Sequence, residues 1–344
     1  MSLSGDAGQR MMLEYRAREA WAQRNYVAAQ SCAEQWAGVA LTEGDGEGWW
    51  NASHLKAEAL RKQGLMSDSR IVADELASHT LTRQSAALRA RVLTLRAFAL
   101  QGSGDLAGAV KAARDATVEI RQISDHNDIA IQAQNALVAS LAESGLLEDA
   151  WHECLILDGL LAKDPDHTYA GQSYWAIGNV AFLLKRFEDG SAYHRQAAKS
   201  LSPTNDLDLW ARFNHGSAQI RLAAGLFGPD TLECIERAEM AMSITGATER
   251  DRFELLLTRA HWLVLSDQSE AAIERLQEII KHKELLATHD AAQAHFLMGR
   301  ALSGRGEDSA AVSHLEASVE LFSQSGAEER AAAARELIAG LNRS

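Results

Sequence analysis

Gln172, Trp175, Asn179 and Phe182 stand at steps of 3, 4 and 3, the spacing that puts side chains on one face of an α-helix. A carboxamide both donates and accepts hydrogen bonds, so Gln172 and Asn179 can pair with a peptide backbone. Trp175 and Phe182 alternate with them and offer large apolar anchors of the kind that dominate binding energy. This is the chemistry of holding a chain, not of cutting one.

Bond-breaking arrangements are missing where they would be expected. The twelve histidines are scattered and none shows the H-E-x-x-H spacing of a metalloprotease helix. His152 and Cys154 are two apart and would face different sides of a helix, so Cys154 is expected as a core thiol. "GSGDLAG", from Gly102, lacks the G-x-G-x-x-G spacing of a phosphate loop and lies between two helical stretches. "EGDGEGWW", from Glu43, lacks the alternating oxygen ligands of a calcium loop; it reads as a flexible link with Trp49 or Trp50 opening the next helix. Asn51-Ala52-Ser53 matches a glycosylation acceptor, which a cytoplasmic chain would not use. The expectation is a chain without catalytic residues, metal or cofactor.

Composition narrows the class. The chain has 344 residues with three prolines, and alanine is its commonest residue. Few helix breakers, many helix formers and no sustained period-2 alternation predict an all-α protein. The net charge of −13 opposes phosphate backbones and gives nucleic-acid binding little support. Cys32, Cys154 and Cys234 are too far apart for a zinc spacing or a disulfide framework, which fits a reducing cytoplasm. The apolar run "FELLLTRAHWLVL" is interrupted by Arg259 and His261 and is too short to span a bilayer. The excess of arginine over lysine suggests a bacterial source.

The helices that must position the binding residues repeat. Small residues recur at 17, 57, 97, 138, 178, 218, 260 and 299, and again at 29, 69, 109, 150, 190, 231, 272 and 311; fifteen of these sixteen are Gly, Ala, Ser or Thr, the exception being Val138. The steps are 39 to 42, and the two rungs of a repeat are 12 apart, or 13 in the sixth. Two antiparallel helices per repeat, each with a small residue where they cross, explain this ladder. They explain why Gly178 sits inside a helix, where it costs about 1 kcal/mol against alanine. The expected repeats are 8–42, 48–82, 86–122, 127–163, 167–203, 207–245, 250–284 and 289–323. They are followed by a capping helix at 326–342, with apolar residues at 327, 331, 334, 338 and 341.

The segments "GNVAFLLKRFEDGSAYHRQAAKSLSP" and "GRALSGRGEDSAAVSHLEASVEL" carry a small residue, a turn, a second small residue and a helix end. This pattern resembles tetratricopeptide repeats, in eight copies over nearly the whole chain, with a period of about 40 against the standard 34. The resemblance implies an α-solenoid, a right-handed superhelix whose concave side is lined by the first helix of each pair. It is similar to the superhelix of bacterial regulators. Those carry an N-terminal DNA-binding or helical output domain, which the position of the first repeat leaves no room for, so a stand-alone adaptor or relic sensor is expected.

Carried along the ladder, the Gln172–Phe182 face becomes a stripe. Its members proposed to bind are Arg18, Trp21, His54, Arg61, Arg91, Phe98, Gln132, Asn135, Gln172, Trp175, Asn179, Phe182, Arg212, His215, Gln219 and His261. The whole stripe holds five Arg against three Glu, together with eight Asn or Gln. Arginine grips carboxylates in bidentate fashion, so the expected partner is a protein or peptide, favouring an acidic segment or a free C-terminus. An RNA-binding helical repeat would need a basic groove, and a helical enzyme would need a carboxylate or metal cluster; neither signal is present.

Overall fold

The computed structural model describes residues 3–121, 126–164, 167–246 and 248–343. The chain divides into two compact units, Met1–Arg186 and Phe187–Ser344. The first holds α1 (Leu3–Ala22), α2 (Tyr26–Glu43), α3 (Gly46–Lys62), α4 (Met66–Ser78), a short α5 (Thr80–Gln84), α6 (Ala86–Gly102), α7 (Leu106–Ile120), α8 (Asn127–Glu143), α9 (Leu147–Leu161) and α10 (Ala170–Leu183). The second holds α11 (Phe187–Ser200), α12 (Leu207–Ala223), α13 (Pro229–Thr245), α14 (Glu249–Leu265), α15 (Ser269–Lys281), a 3-10 turn (Lys283–Leu285), α16 (Thr288–Gly304), α17 (Asp308–Gln324) and α18 (Glu328–Leu341). The described residues form an all-α array of consecutively paired helices.

Small residues hold the pairs together. All sixteen rungs of the ladder are buried. At the α16–α17 crossing, a Cβ on Gly299 would lie 2.6 Å from Leu315 Cγ and 3.0 Å from the carbonyl oxygen of Ala311, the opposite rung. A side chain there would have to displace Leu315 and would press on the Ala311 backbone. At the α3–α4 crossing the rungs touch directly, with Ser69 Oγ donating to the Ala57 carbonyl at 2.9 Å. Within each unit the first helices touch in succession: α1 on α3, α3 on α6, α6 on α8 and α8 on α10 in the first unit, α12 on α14 and α14 on α16 in the second. Contacts of this kind, each helix pair against its neighbours, are the mark of a solenoid. α18 buries Ala331 and Ala334 against α17.

A third ladder lies in the turns. Arg24, Gly64, Gly104, Gly145, Lys185, Gly225, Asp267 and Gly306 all have φ between 58° and 83°. Each falls seven residues after a first rung. Each closes its helix in the same way: Gly104 N–H donates to Gln101 O at 2.9 Å and Asp105 N–H reaches back to Leu100 O at 3.0 Å, and Lys185 and Arg186 repeat this with Phe182 and Ala181. This is the paired-bond C-cap that a left-handed residue permits.

One sequence expectation needs correction. "EGDGEGWW" is not a flexible link. Gly44 ends α2 in the left-handed region, and the Asp45 carboxylate caps the Gly48 N–H at 2.9 Å, so α3 already begins at Gly46. Arg10 ties Asp45 and Glu43 down from α1. The second pair also carries an extra turn, α5, whose Thr82 hydroxyl accepts from the buried Trp50 Nε1 at 2.8 Å and donates to Leu76 O at 2.6 Å. Cys154 is fully buried, as expected of a core thiol.

The left-handed turn positions give a test with opposite signs. At Gly104 an added Cβ meets nothing within 4 Å, so Gly104→Ala carries only the backbone penalty and should destabilise by about 1 kcal/mol. Lys185, with φ 60°, should show the reverse: Lys185→Gly stabilises by roughly 0.5–1 kcal/mol. Urea unfolding checks both, and a gain for the first or a loss for the second would refute the turn assignment.

Candidate functional site

The first helices of the first unit bring the predicted stripe together. On α3, His54 stacks on Trp50 with ring centres 5.2 Å apart, and its Nδ1 lies 3.5 Å from Arg91 Nη2 on α6. Arg91 also lies over the Trp50 ring at 4.9 Å. Two turns further along α3, Arg61 pairs with Glu58 at 2.6 Å and covers the Phe98 ring of α6 at 4.9 Å. Such cation–aromatic contacts gain strength where water is partly excluded.

The electrostatics show how far the cluster reaches. Burial, then the Arg91 charge, push His54 down to about 4, so its ring is neutral at neutral pH. Burial works against the Glu58 charge, but Arg61, His54 and Lys62 more than offset it and hold the carboxyl below its ordinary range. Arg91 is lowered by burial while feeling Asp128 on α8, Glu58 on α3, Arg18 on α1 and the phenol of Tyr169. Tyr169 is raised, by burial first and then by Glu58. Cations and carboxylates from successive first helices thus form one balanced field.

Stripe residues also tie one repeat to the next. Asn135 Nδ2 donates to Ser173 Oγ at 2.6 Å, joining α8 to α10, and Gln101 Nε2 donates to Glu143 at 2.5 Å, joining α6 to α8. In the second unit, His215 is buried with Nε2 2.9 Å from Thr258 Oγ1, joining α12 to α14. Arg18 is exposed, paired with Glu14 at 2.9 Å and lying over Trp36 at 5.7 Å; Trp21 meets Tyr26 edge-on at 5.3 Å. Gln132, Gln172, Trp175 and Asn179 are half-buried, whereas Phe182 is only 4% exposed. Arg212 and Gln219 are exposed on α12.

The second unit has its own concavity, a cavity of about 270 Å³. Leu222, His261, Gln293, Phe296 and Arg300 line it from α12, α14 and α16, all at stripe positions. α18 closes one side with Arg330, whose guanidinium donates to Gln293 Oε1 and lies 5.9 Å from the Phe322 ring centre. Burial, then Arg300 and Arg330, push His261 down to about 4.

Sequence reasoning missed several members. Trp50 was placed at a helix start and Tyr169 lies one turn before the stripe. Asp128 falls outside the periodic pattern, and Arg330 belongs to the last helix, outside the ladder. Arg300 was on the stripe, but nothing in the sequence singled it out. Among the described residues no group of three or more His, Cys, Asp or Glu is placed to hold a metal ion, and no helix is long and apolar enough to cross a membrane.

The neutral histidines set an acid dependence. His54, His261 and His295, whose Nδ1 is 3.0 Å from that of His314, are each lowered from 6.5 to about 4. Between those values the unfolded chain binds protons that the folded chain does not, so stability falls as pH drops from about 6.5 toward 4 and is flat in these groups above about 7. Unfolding midpoints at about pH 7.5 and 5 should differ, and His54→Gln should shrink the difference. Equal midpoints would contradict burial of neutral imidazoles.

No family model matches the chain, and no curated protein matches it. Solved structures do share its fold. A chain of the APC/C hetero-tetramer Cut9–Hcn1 is 13% identical over 93% of this chain, with a TM-score of 0.61; this chain spans 55% of that one. A Rap protein complexed with Competence and Sporulation Factor is 10% identical over 99% of this chain and 98% of its own, with a TM-score of 0.58. The apo form of RapI is 10% identical over 86% and 97%, with a TM-score of 0.54. At these identities the likeness establishes one thing, a helical-repeat fold of the tetratricopeptide-like kind.

Proposed function

We propose that this chain is a non-enzymatic scaffold that binds a protein or peptide along the faces of its first helices, and that it serves as the sensor or adaptor of a bacterial regulatory system. On this reading its helices form eight tetratricopeptide-like pairs capped by α18. The observation that carries the proposal is the convergence in the first unit. His54, Glu58 and Arg61 on α3, Arg91 and Phe98 on α6, and Tyr169 at the start of α10 come from three separate parts of the sequence and present aromatic faces and paired charges that act on one another. An extended chain offers backbone and side-chain groups along its length, and carboxamides such as Gln132 and Gln172 suit it. Charge balance in the cluster favours a partner with both signs, or one whose acidic groups displace Glu58 from Arg61. The Rap protein, whose structure is a complex with Competence and Sporulation Factor, supports the same use of a similar fold.

The test is a peptide-display selection on the full chain, followed by titration of the enriched peptides. Ala139, on α8 between the α6 and α10 faces, is the position for a blocking side chain. Ala139→Arg should weaken binding by about tenfold or more, roughly 1.4 kcal/mol, with an unchanged melting temperature. Failure to enrich any peptide, or equal affinity in a folded variant, would contradict the proposal.

A further inference from the structure

Most arginines of this acidic chain have a carboxylate partner: Arg10, Arg61, Arg89, Arg114, Arg237, Arg250, Arg259 and Arg305 are all in ion pairs. Among the described residues Arg300 and Arg330 have no ion-pair partner, and they are the two arginines that line the cavity of the second unit. Both are half-buried, and burial alone lowers each of them. Glu336 lines an adjoining cavity with Arg300 but is not within ion-pair distance of it. His261 on the same wall is kept neutral by burial first and then by the two guanidiniums. Two partly desolvated cations facing one space without a counter-charge are unfavourable in the empty protein. An anion placed between them removes that cost and gains charge-assisted hydrogen bonds.

The rest of the wall is apolar: Leu222, Leu265, Phe296 and Phe322. The volume, about 270 Å³, suits a group the size of one aromatic residue. Gln293 is already engaged by Arg330, which orients that guanidinium within the cavity wall. We infer that this cavity is a binding site for a carboxylate carried on an apolar body, gripped by Arg300 and Arg330 with the apolar part against Phe296 and Leu222. The inference deepens the binding reading and rests on it, because His261 and Arg300 stand on the same first-helix face; it assigns the ligand chemistry of the second unit's part of that face. The carboxylate can belong to a free organic acid or to the end of a peptide, and the assay separates these.

The probes are 3-phenylpropanoate, its neutral amide, inorganic phosphate, and an N-acetylated peptide ending in phenylalanine as free acid or as amide, titrated calorimetrically into the full chain. The free acids should bind at least about tenfold more tightly than the matching amides and than phosphate. Arg300 has no ion-pair partner among the described residues, so Arg300→Met is the decisive variant. It should raise the melting temperature, by removing an uncompensated buried charge, while weakening the acid at least about tenfold. Arg330→Lys, which keeps the charge but loses the fork, should bind with intermediate affinity. Binding of phenylpropanoate alone assigns the site to a small acid, and binding of the peptide acid as well assigns it to chain ends. Equal affinity for acid and amide, tighter binding of phosphate than of the acid, or an Arg300→Met protein that binds like wild type would each overturn the inference. Such a failure would leave the first-unit scaffold reading intact, since Ala139 and its neighbours are not involved.

Discussion

Everything in this molecule follows from how closely two helical backbones can approach where they cross. At Gly299 the approach is so close that a single methyl group would collide with Leu315 and with the carbonyl of Ala311. The same demand, repeated about every 40 residues, keeps fifteen small residues and Val138 buried. Close pairing uses one face of each first helix for its partner and a second face for the next pair. A third face is left over, and on it the amides, aromatics and arginines accumulate. The turn geometry belongs to the same constraint: with the crossing fixed, the chain must reverse seven residues later through a left-handed residue, whether or not that residue is glycine.

The two units use their leftover faces differently. In the first, charge is balanced internally: Glu58 holds Arg61, Asp128 and Glu58 both act on Arg91, and the two guanidiniums spread over Phe98 and Trp50. A ligand there competes with existing partners, which favours a partner that brings many weak contacts. In the second, Arg300 and Arg330 are left unmatched around a small apolar cavity. A ligand there supplies what is missing, which favours one compact anionic group. The overall charge of −13 hides this local contrast completely.

The helical pairing was legible because small residues at a fixed period are rare by chance and have a single physical explanation. The stripe was legible in part: His54, Arg61, Arg91 and Phe98 do come together, since helical spacing alone decides which face a residue occupies. What the face does was less accessible. Asn135 and His215 tie adjacent repeats through hydrogen bonds to residues 38 and 43 positions away, a distance over which local pattern carries no information. The left-handed turn ladder was obscured because Arg24, Lys185 and Asp267 occupy three of its positions instead of glycine. Gly44, Gly46 and Gly48 suggested slack, yet Asp45 makes that turn a helix cap. Arg330 was invisible because it lies on the closing helix, outside every repeat.

The central claim is that backbone approach at the small rungs sets the fold, and a double-mutant cycle at Gly299 and Leu315 measures it directly. If the added methyl collides with the Leu315 side chain, Gly299→Ala costs about 1–3 kcal/mol in the wild type and less than half as much in a Leu315→Ala background, because truncation makes room. Strictly additive costs, or a Gly299→Ala protein stabilised by alanine's better helix propensity, would contradict the account.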